Sequence, residues 1–403
     1  MEKVKYLILG AGAAGLTFAS MLKRKGEDSF LVLEKEQEAG GLCRSVLVDN
    51  SPFDIGGGHF LDVRRPKVTD FLFSFMPRQE WKLFRRDSRI AVKGQIVGHP
   101  LESNIWQFDL EEQVAYLSSI AKAGCNSGEE MPEKFVDWIR WKLGDKIAED
   151  YMLPYNRKVY AEDLNELGTY WLEKLPSVSF EETLRSCLAR RPYGKEPGHA
   201  SFYYPKGYGY GEVWLRMAGE LSPRILYSRD VEAIDFDRRE VGTGNGEHFK
   251  AQVIVTTIPW AEYRQIQGMP EELIASIRKL KHNAIETRYC PQNLDTQAQW
   301  IYVPDEEKEF HRILVRHNFC EGSSGYWTET RYKEGAEWDF TGFINSYAYP
   351  LNTIDKPQIM KNLLSFGSAK GIYGLGRWGE HSHHNSDVVV EHAMALAERI
   401  VGV

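Results

Sequence analysis

No stretch of the 403 residues reaches the ~18 successive apolar side chains of a bilayer-spanning helix. Such a span is therefore not expected. Paired cysteine spacing is absent too: Cys43, Cys125, Cys187, Cys290 and Cys320 are scattered without a C-x-x-C pair. That argues against a disulfide framework or a thiolate metal centre, and fits reduced thiols. No concentrated basic face accompanies the formal net charge of -7, so nucleic acid is not an expected partner. Internal repeats and low-complexity tracts are missing, and the first residues enter an apolar run with no charged leader or cleavage site. These absences and the length lead us to expect a cytoplasmic protein of two or three domains.

Glycine, by contrast, is concentrated at informative positions. Gly10, Gly12 and Gly15 follow the apolar run Tyr6 to Leu9, and a helical pattern from Ala14 to Lys25 comes next. A second apolar run, Phe30 to Leu33, ends on the acid Glu34. Strand, glycine turn, helix, strand and terminal acid make a dinucleotide fingerprint: the diphosphate sits on the helix N-terminus and Glu34 accepts from a ribose. Three further glycine-rich stretches, Gly40-Gly41, Gly56 to Gly58 and Gly374 to Gly379, offer close backbone approach along a whole enclosed cofactor. That usage points to FAD, since a nicotinamide enzyme needs chiefly the first stretch.

Farther along, Asp109 and Glu112 have capping-box spacing, and Met131 to Lys158 carries apolar residues at helical intervals. Alternation at Val231 to Phe236 and the apolar run Ala251 to Ile258 suggest a returning half of the nucleotide domain. Trp300 to Tyr349 reads as antiparallel strands, and Asp387 to Val401 as an amphipathic closing helix. The expected fold class is α/β: a Rossmann-like FAD-binding domain (1–75, 200–260 and 355–403) interleaved with a largely helical insertion (76–199) and an antiparallel-sheet substrate domain (261–354).

Glu34-Lys35-(x)4-Gly40-Gly41-Leu42 and Gly376-Arg377-Trp378-Gly379 before a helix resemble the flavoprotein superfamily of amine oxidases, protoporphyrinogen oxidase and UDP-galactopyranose mutase. Several segments are more similar to the mutase. They are Gly57-Gly58-His59-Phe60, the stretch from Arg89 to Ile105, Tyr155-Asn156-Arg157-Lys158-Val159-Tyr160, Gln299 to Asp305, Phe310-His311-Arg312, Tyr349-Pro350 and Gly376 to Asn385. The resemblance implies isomerisation of a UDP-galactose-like nucleotide sugar between pyranose and furanose forms, through covalent attack by reduced flavin without net redox. An external reductant is then a required partner.

By the same resemblance, Arg312 and Arg377 are the catalytic cations, with Tyr302 and Tyr349 completing a diphosphate clamp. Arg377 serves either the substrate diphosphate or that of the flavin. His59 is the third expected catalytic residue, lying against the flavin, with a structural turn as its alternative. Asn156 and Tyr160 inherit nucleoside contacts, while Gly10, Gly12, Gly15, Glu34, Gly41, Arg44, Gly57, Gly58, Val231 and Asn385 are the expected FAD contacts. The chain departs from the mutase pattern in three places, one of them His383, which replaces an expected aromatic or amide group. His99, Leu101 and Glu102 replace nucleotide-contacting residues, and Lys174 stands nearest to a missing second arginine, a point charge in place of a planar fork. A flavin amine oxidase or protoporphyrinogen-oxidase-like oxidoreductase is the alternative, and a noncatalytic flavoprotein a third reading. His381, His383 and His384 invite a metal, but no cysteine or carboxylate set stands at ligand spacing beside them, and no metal is expected.

Overall fold

The computed structural model describes residues 2–160, 163–172, 178–194, 200–333 and 342–401. The apolar run at the N-terminus forms the strand Glu2–Leu9, parallel to Phe30–Leu33 on one side and to His248–Thr256 on the other. Leu7, Ile8 and Leu9 are fully buried, as a central parallel strand covered on both faces requires. The long strand His248–Thr256 divides its far edge. Its first residues pair antiparallel with Glu240–Thr243, and its last pair parallel with Ile372–Gly374. In this way the N-terminal, middle and C-terminal segments share one eight-stranded sheet.

Helix Ala13–Arg24 starts directly after the glycine turn and packs against the closing helix Ser386–Ile400 and helix Glu212–Leu221. The turn is tight at Gly15, where a Cβ would stand 2.0 Å from the Gly10 carbonyl oxygen.

A second sheet runs in the order Gly342–Pro350, His282–Cys290, Tyr326–Tyr332, Arg312–Leu314, Trp300–Tyr302, Ser88–Val92 and Gln95–Gly98. It is antiparallel except where Trp300–Tyr302 lies parallel to Ser88–Val92. Ser88–Val92 and Gln95–Gly98 come from the 76–199 segment, and their Ile90, Val92 and Val97 pack against that segment's own helical residues, among them Ile105, Tyr116 and Ile139. Conversely, Gln265–Gln267 of the 261–354 segment extends the first sheet beside Val231–Asp235.

The helical periodicity of Met131 to Lys158 is realised as Phe135–Ile147, a π turn over Ala148–Met152, and Leu153–Val159. These pack under the second sheet around Tyr116, Phe135, Ile139 and Tyr302. Asp109 caps helix Leu110–Ala121 by accepting from the Glu112 amide at 2.9 Å. Among the described residues, no helix is long and apolar enough to cross a membrane.

The steric limit at Gly15 yields a paired test. Gly15→Ala forces a methyl group into a backbone carbonyl and is expected to destabilise the chain by about 3 kcal/mol or more in urea unfolding. Gly219→Ala, in helix Glu212–Leu221 with nothing within 4 Å of the added Cβ, is expected to stabilise by about 0.5–1 kcal/mol.

Candidate functional site

The glycine turn and the end of the second strand form one edge of the site. Glu34 is buried, and its carboxylate accepts from the Ala11 amide at 2.7 Å and the Glu36 amide at 3.0 Å, which pins it beside the turn. Gly40 donates its amide to the Ala11 carbonyl at 2.8 Å, and the Gly41 backbone passes so near Gly12 that a Cβ on Gly41 would lie 3.2 Å from the Gly12 Cα. Backbone meets backbone here at the N-terminus of helix Ala13–Arg24, an arrangement that suits a diphosphate. Arg44 turns back on its own loop, donating to the Gly41 carbonyl at 3.1 Å and standing 3.5 Å from Glu36. Val231 is buried at the start of its strand, two residues after Arg229, whose amide donates to the Glu34 carbonyl. Asn385 holds the N-cap position of the closing helix.

A second group of residues gathers where the two sheets meet. Strand pairing sets Arg312 directly opposite Glu329, and the Arg312 Nε donates to the Glu329 carboxylate at 2.9 Å. Glu329 is fully buried. Burial pushes its carboxyl up, but Arg312 and His311 overcome that and hold it down at about 2. Its other oxygen accepts from the Gly58 amide at 3.2 Å, an approach open only because residue 57 has no side chain: a Cβ on Gly57 would fall 2.5 Å from that oxygen. The acid thus ties the Gly57-Gly58 loop to the second sheet and aims Arg312.

From there Arg312 Nη2 reaches the Tyr349 hydroxyl at 3.2 Å, and the Arg377 guanidinium lies 5.8 Å from the centre of the Tyr349 ring. Arg377 donates to the carbonyls of Ala348 and His384, at 3.0 to 3.2 Å. Among the described residues no carboxylate pairs with it. Burial lowers its proton affinity, yet a guanidinium remains charged. His59 donates through Nδ1 to the Gly57 carbonyl at 3.0 Å and stacks on Tyr210. Burial and the charge of Arg377 push it down to about 4, so it is neutral near pH 7 and presents Nε2 as an acceptor.

Tyr302, Tyr155 and His311 form a chain of aromatic contacts leading toward Arg312. Tyr160 packs on Trp171, and Asn156 donates to the Met152 carbonyl within its own helical segment, which leaves its amide oxygen as the group it can offer a ligand. The structure therefore brings Arg312, Arg377, Tyr349, Tyr302, Tyr160 and His59 toward one region. Lys174 lies outside the described residues.

Three side chains stand out here that motif reading passed over or left as departures. Glu329 is in phase with fully buried Trp327 on its strand, and an acid on the apolar face of an alternating segment is the signal that identifies it. Arg86 donates to the Tyr302 hydroxyl at 2.6 Å and stacks over Trp300 at 4.7 Å, adding a guanidinium beside Tyr302. Glu102 is buried near His99, whose ring contacts Tyr302 at 5.0 Å. Burial pushes its carboxyl up to about 7. Cys43 is buried and its thiol is pushed up to about 12, consistent with packing and not with nucleophilic use.

Glu102 gives a pH test. A carboxyl whose affinity for its proton is raised by folding makes the native state less stable as pH rises from about 4.5 to 7. Glu102→Gln removes that slope. The variant is expected to match the parent near pH 4.5 and exceed it by up to about 3 kcal/mol at pH 8, read by urea unfolding at the two pH values.

Comparison with known proteins places the first segment and the fold. Residues 8–75 match the NAD(P)-binding Rossmann-like domain. Among curated proteins, an inactive all-trans-retinol 13,14-reductase of Danio rerio is 38% identical over 55 residues, 14% of this chain and 9% of that protein. An uncharacterized protein in the nifH2 3' region of Methanothermococcus thermolithotrophicus is 45% identical over 53 residues, 13% of this chain and 50% of that one. The chain thus spans half or less of these relatives' lengths. Among solved structures, reduced UDP-galactopyranose mutase superposes with a TM-score of 0.88 at 22% identity, covering 100% of this chain and 94% of that one. Putrescine oxidase bound to putrescine gives 0.64 at 13% identity over 100% and 99%. A fatty acid isomerase from P. acnes gives 0.65 at 14% identity over 99% of each chain. At these identities the likeness is one of fold, and the chain has the interleaved fold of UDP-galactopyranose mutase, built on a dinucleotide-binding Rossmann-like segment.

Proposed function

We propose that the chain is an FAD-dependent nucleotide-sugar mutase that interconverts the pyranose and furanose forms of a UDP-galactose-like substrate. The carrying observation is a charge imbalance around Tyr349: Arg312 and Arg377 contribute two positive charges, Glu329 contributes one negative charge, and His59 is neutral near pH 7. A half-buried cluster with one uncompensated positive charge favours an anion, and a planar guanidinium suits phosphate oxygens.

In this reading the cradle of Gly10, Gly12, Gly15 and Gly41 holds the cofactor diphosphate and Glu34 its ribose. Bound there, a reduced flavin would supply the nucleophile for an isomerisation without net redox. Arg312 and Arg377 grip the substrate diphosphate as it departs from the anomeric carbon. Tyr302 accepts a hydrogen bond from Arg86, so its own proton is available to a phosphate oxygen. Asn156 and Tyr160 face the nucleoside, and an external reductant keeps the flavin reduced. An amine oxidase of the same fold needs no such cationic clamp, which is why the mutase is preferred to that alternative.

The test uses the purified full chain with FAD and UDP-galactofuranose, with and without dithionite, followed by chromatography of the sugar nucleotides. Isomerisation that appears only under reduction is expected. Arg312→Lys is expected to lower its rate on the order of 10²–10³-fold without loss of fold by circular dichroism. Peroxide release from amines under oxygen, with no isomerisation, would overturn the proposal in favour of the oxidase.

A further inference from the structure

The histidine run before the closing helix is dispersed by the fold. His381 is buried with Nε2 at 3.0 Å from the Lys281 carbonyl, and His383 packs on Tyr349 at 4.6 Å between ring centres. His384 alone turns toward a different pair, Glu380 one turn earlier and His392 from the second turn of helix Ser386–Ile400. The carboxylate is that of Glu380, which directly precedes the run, and the fold adds a second imidazole from the helix. Each of the three residues is half-buried and offers a ligand atom, and these atoms lie within 4.8 Å of one another.

We propose that Glu380, His384 and His392 bind a divalent transition-metal ion of the zinc, nickel and copper group. Two imidazoles and one carboxylate are borderline ligands, which favour such ions over magnesium or calcium. The His392 Nδ1 is already 2.9 Å and 3.1 Å from the two Glu380 oxygens, and the His384 ring centre is 4.7 Å from that of His392, at 64°. Tetrahedral coordination at ~2.0–2.1 Å sets neighbouring ligand atoms roughly 3.3 Å apart, so the His392–Glu380 edge is close to size and His384 has a short way to close.

Outer contacts hold two of the three ligands in place. The Gly376 amide donates to Glu380 Oε2 at 2.9 Å, and Arg377 donates to the His384 carbonyl. Nearby, Arg65 pairs with both Asp387 and Glu391 on the helix, a group with one net negative charge. Three protein ligands leave a fourth position for water. An ion here would tie the 380–385 turn, which carries Arg377's carbonyl partner at 384 and His383, to the closing helix.

The test is independent of flavin and of turnover. Full-length protein, with any affinity tag removed and chelator dialysed away, is titrated with zinc by calorimetry and with cobalt(II) by visible absorption. The expected result is one equivalent of zinc bound, a cobalt spectrum of low coordination number, and a rise in Tm with zinc. His392→Gln and His384→Gln are each expected to weaken binding by 10–100-fold and abolish the Tm rise, judged against the unchanged behaviour of His248→Gln, a remote exposed site. Absence of a one-equivalent site, or a site retained undiminished in both variants, would overturn the proposal.

Discussion

The strand His248–Thr256 finds only part of its backbone pairing in local sequence. It borrows Glu2–Leu9 along one edge, and Glu240–Thr243 and Ile372–Gly374 along the other. Every buried N–H and C=O needs a partner, so this shared strand obliges the two ends of the chain to meet. The glycine turn after Glu2–Leu9 and the Gly376-Arg377 turn after Ile372–Gly374 consequently open at the same end of one sheet. That is where parallel sheets hold ligands, beyond the carboxyl ends of their strands.

The second sheet brings charge to that opening. Glu329 would be costly in its fully buried position without Arg312, and Arg312 without Glu329 would have no fixed direction. Their pairing across adjacent strands gives both, and the Gly58 amide extends it to the loop that carries His59. Register is decisive here, because a one-residue slip would turn Glu329 to the opposite face of its strand. Arg377 then stands near a neighbour already neutralised by its own acid, and the excess positive charge remains available.

Much of the framework was legible in the chain. Apolar runs, glycine spacing and capping signals mark the first strand, the helix after it, Phe30–Leu33 and the closing helix, since each depends on residues close in sequence. Strands Ser88–Val92 and Gln265–Gln267 were less readable: alternation reports a strand but not which sheet will accept it. Motif positions identified Arg312, Arg377 and Tyr349, whereas Glu329 and Arg86 lie in no matched motif and were found through contacts alone.

By itself, then, the sequence determined a dinucleotide-binding start, an interleaved α/β architecture and a set of arginine and tyrosine candidates. These follow from local backbone preferences and from the period of apolar residues. Only the tertiary structure decided which acid holds Arg312, that Arg86 meets Tyr302, and that His384 joins Glu380 and His392 and not the histidines beside it. Charge and coordination act over a few ångströms of space, and the distance between two side chains is set by strand register and helix packing, which no local pattern records.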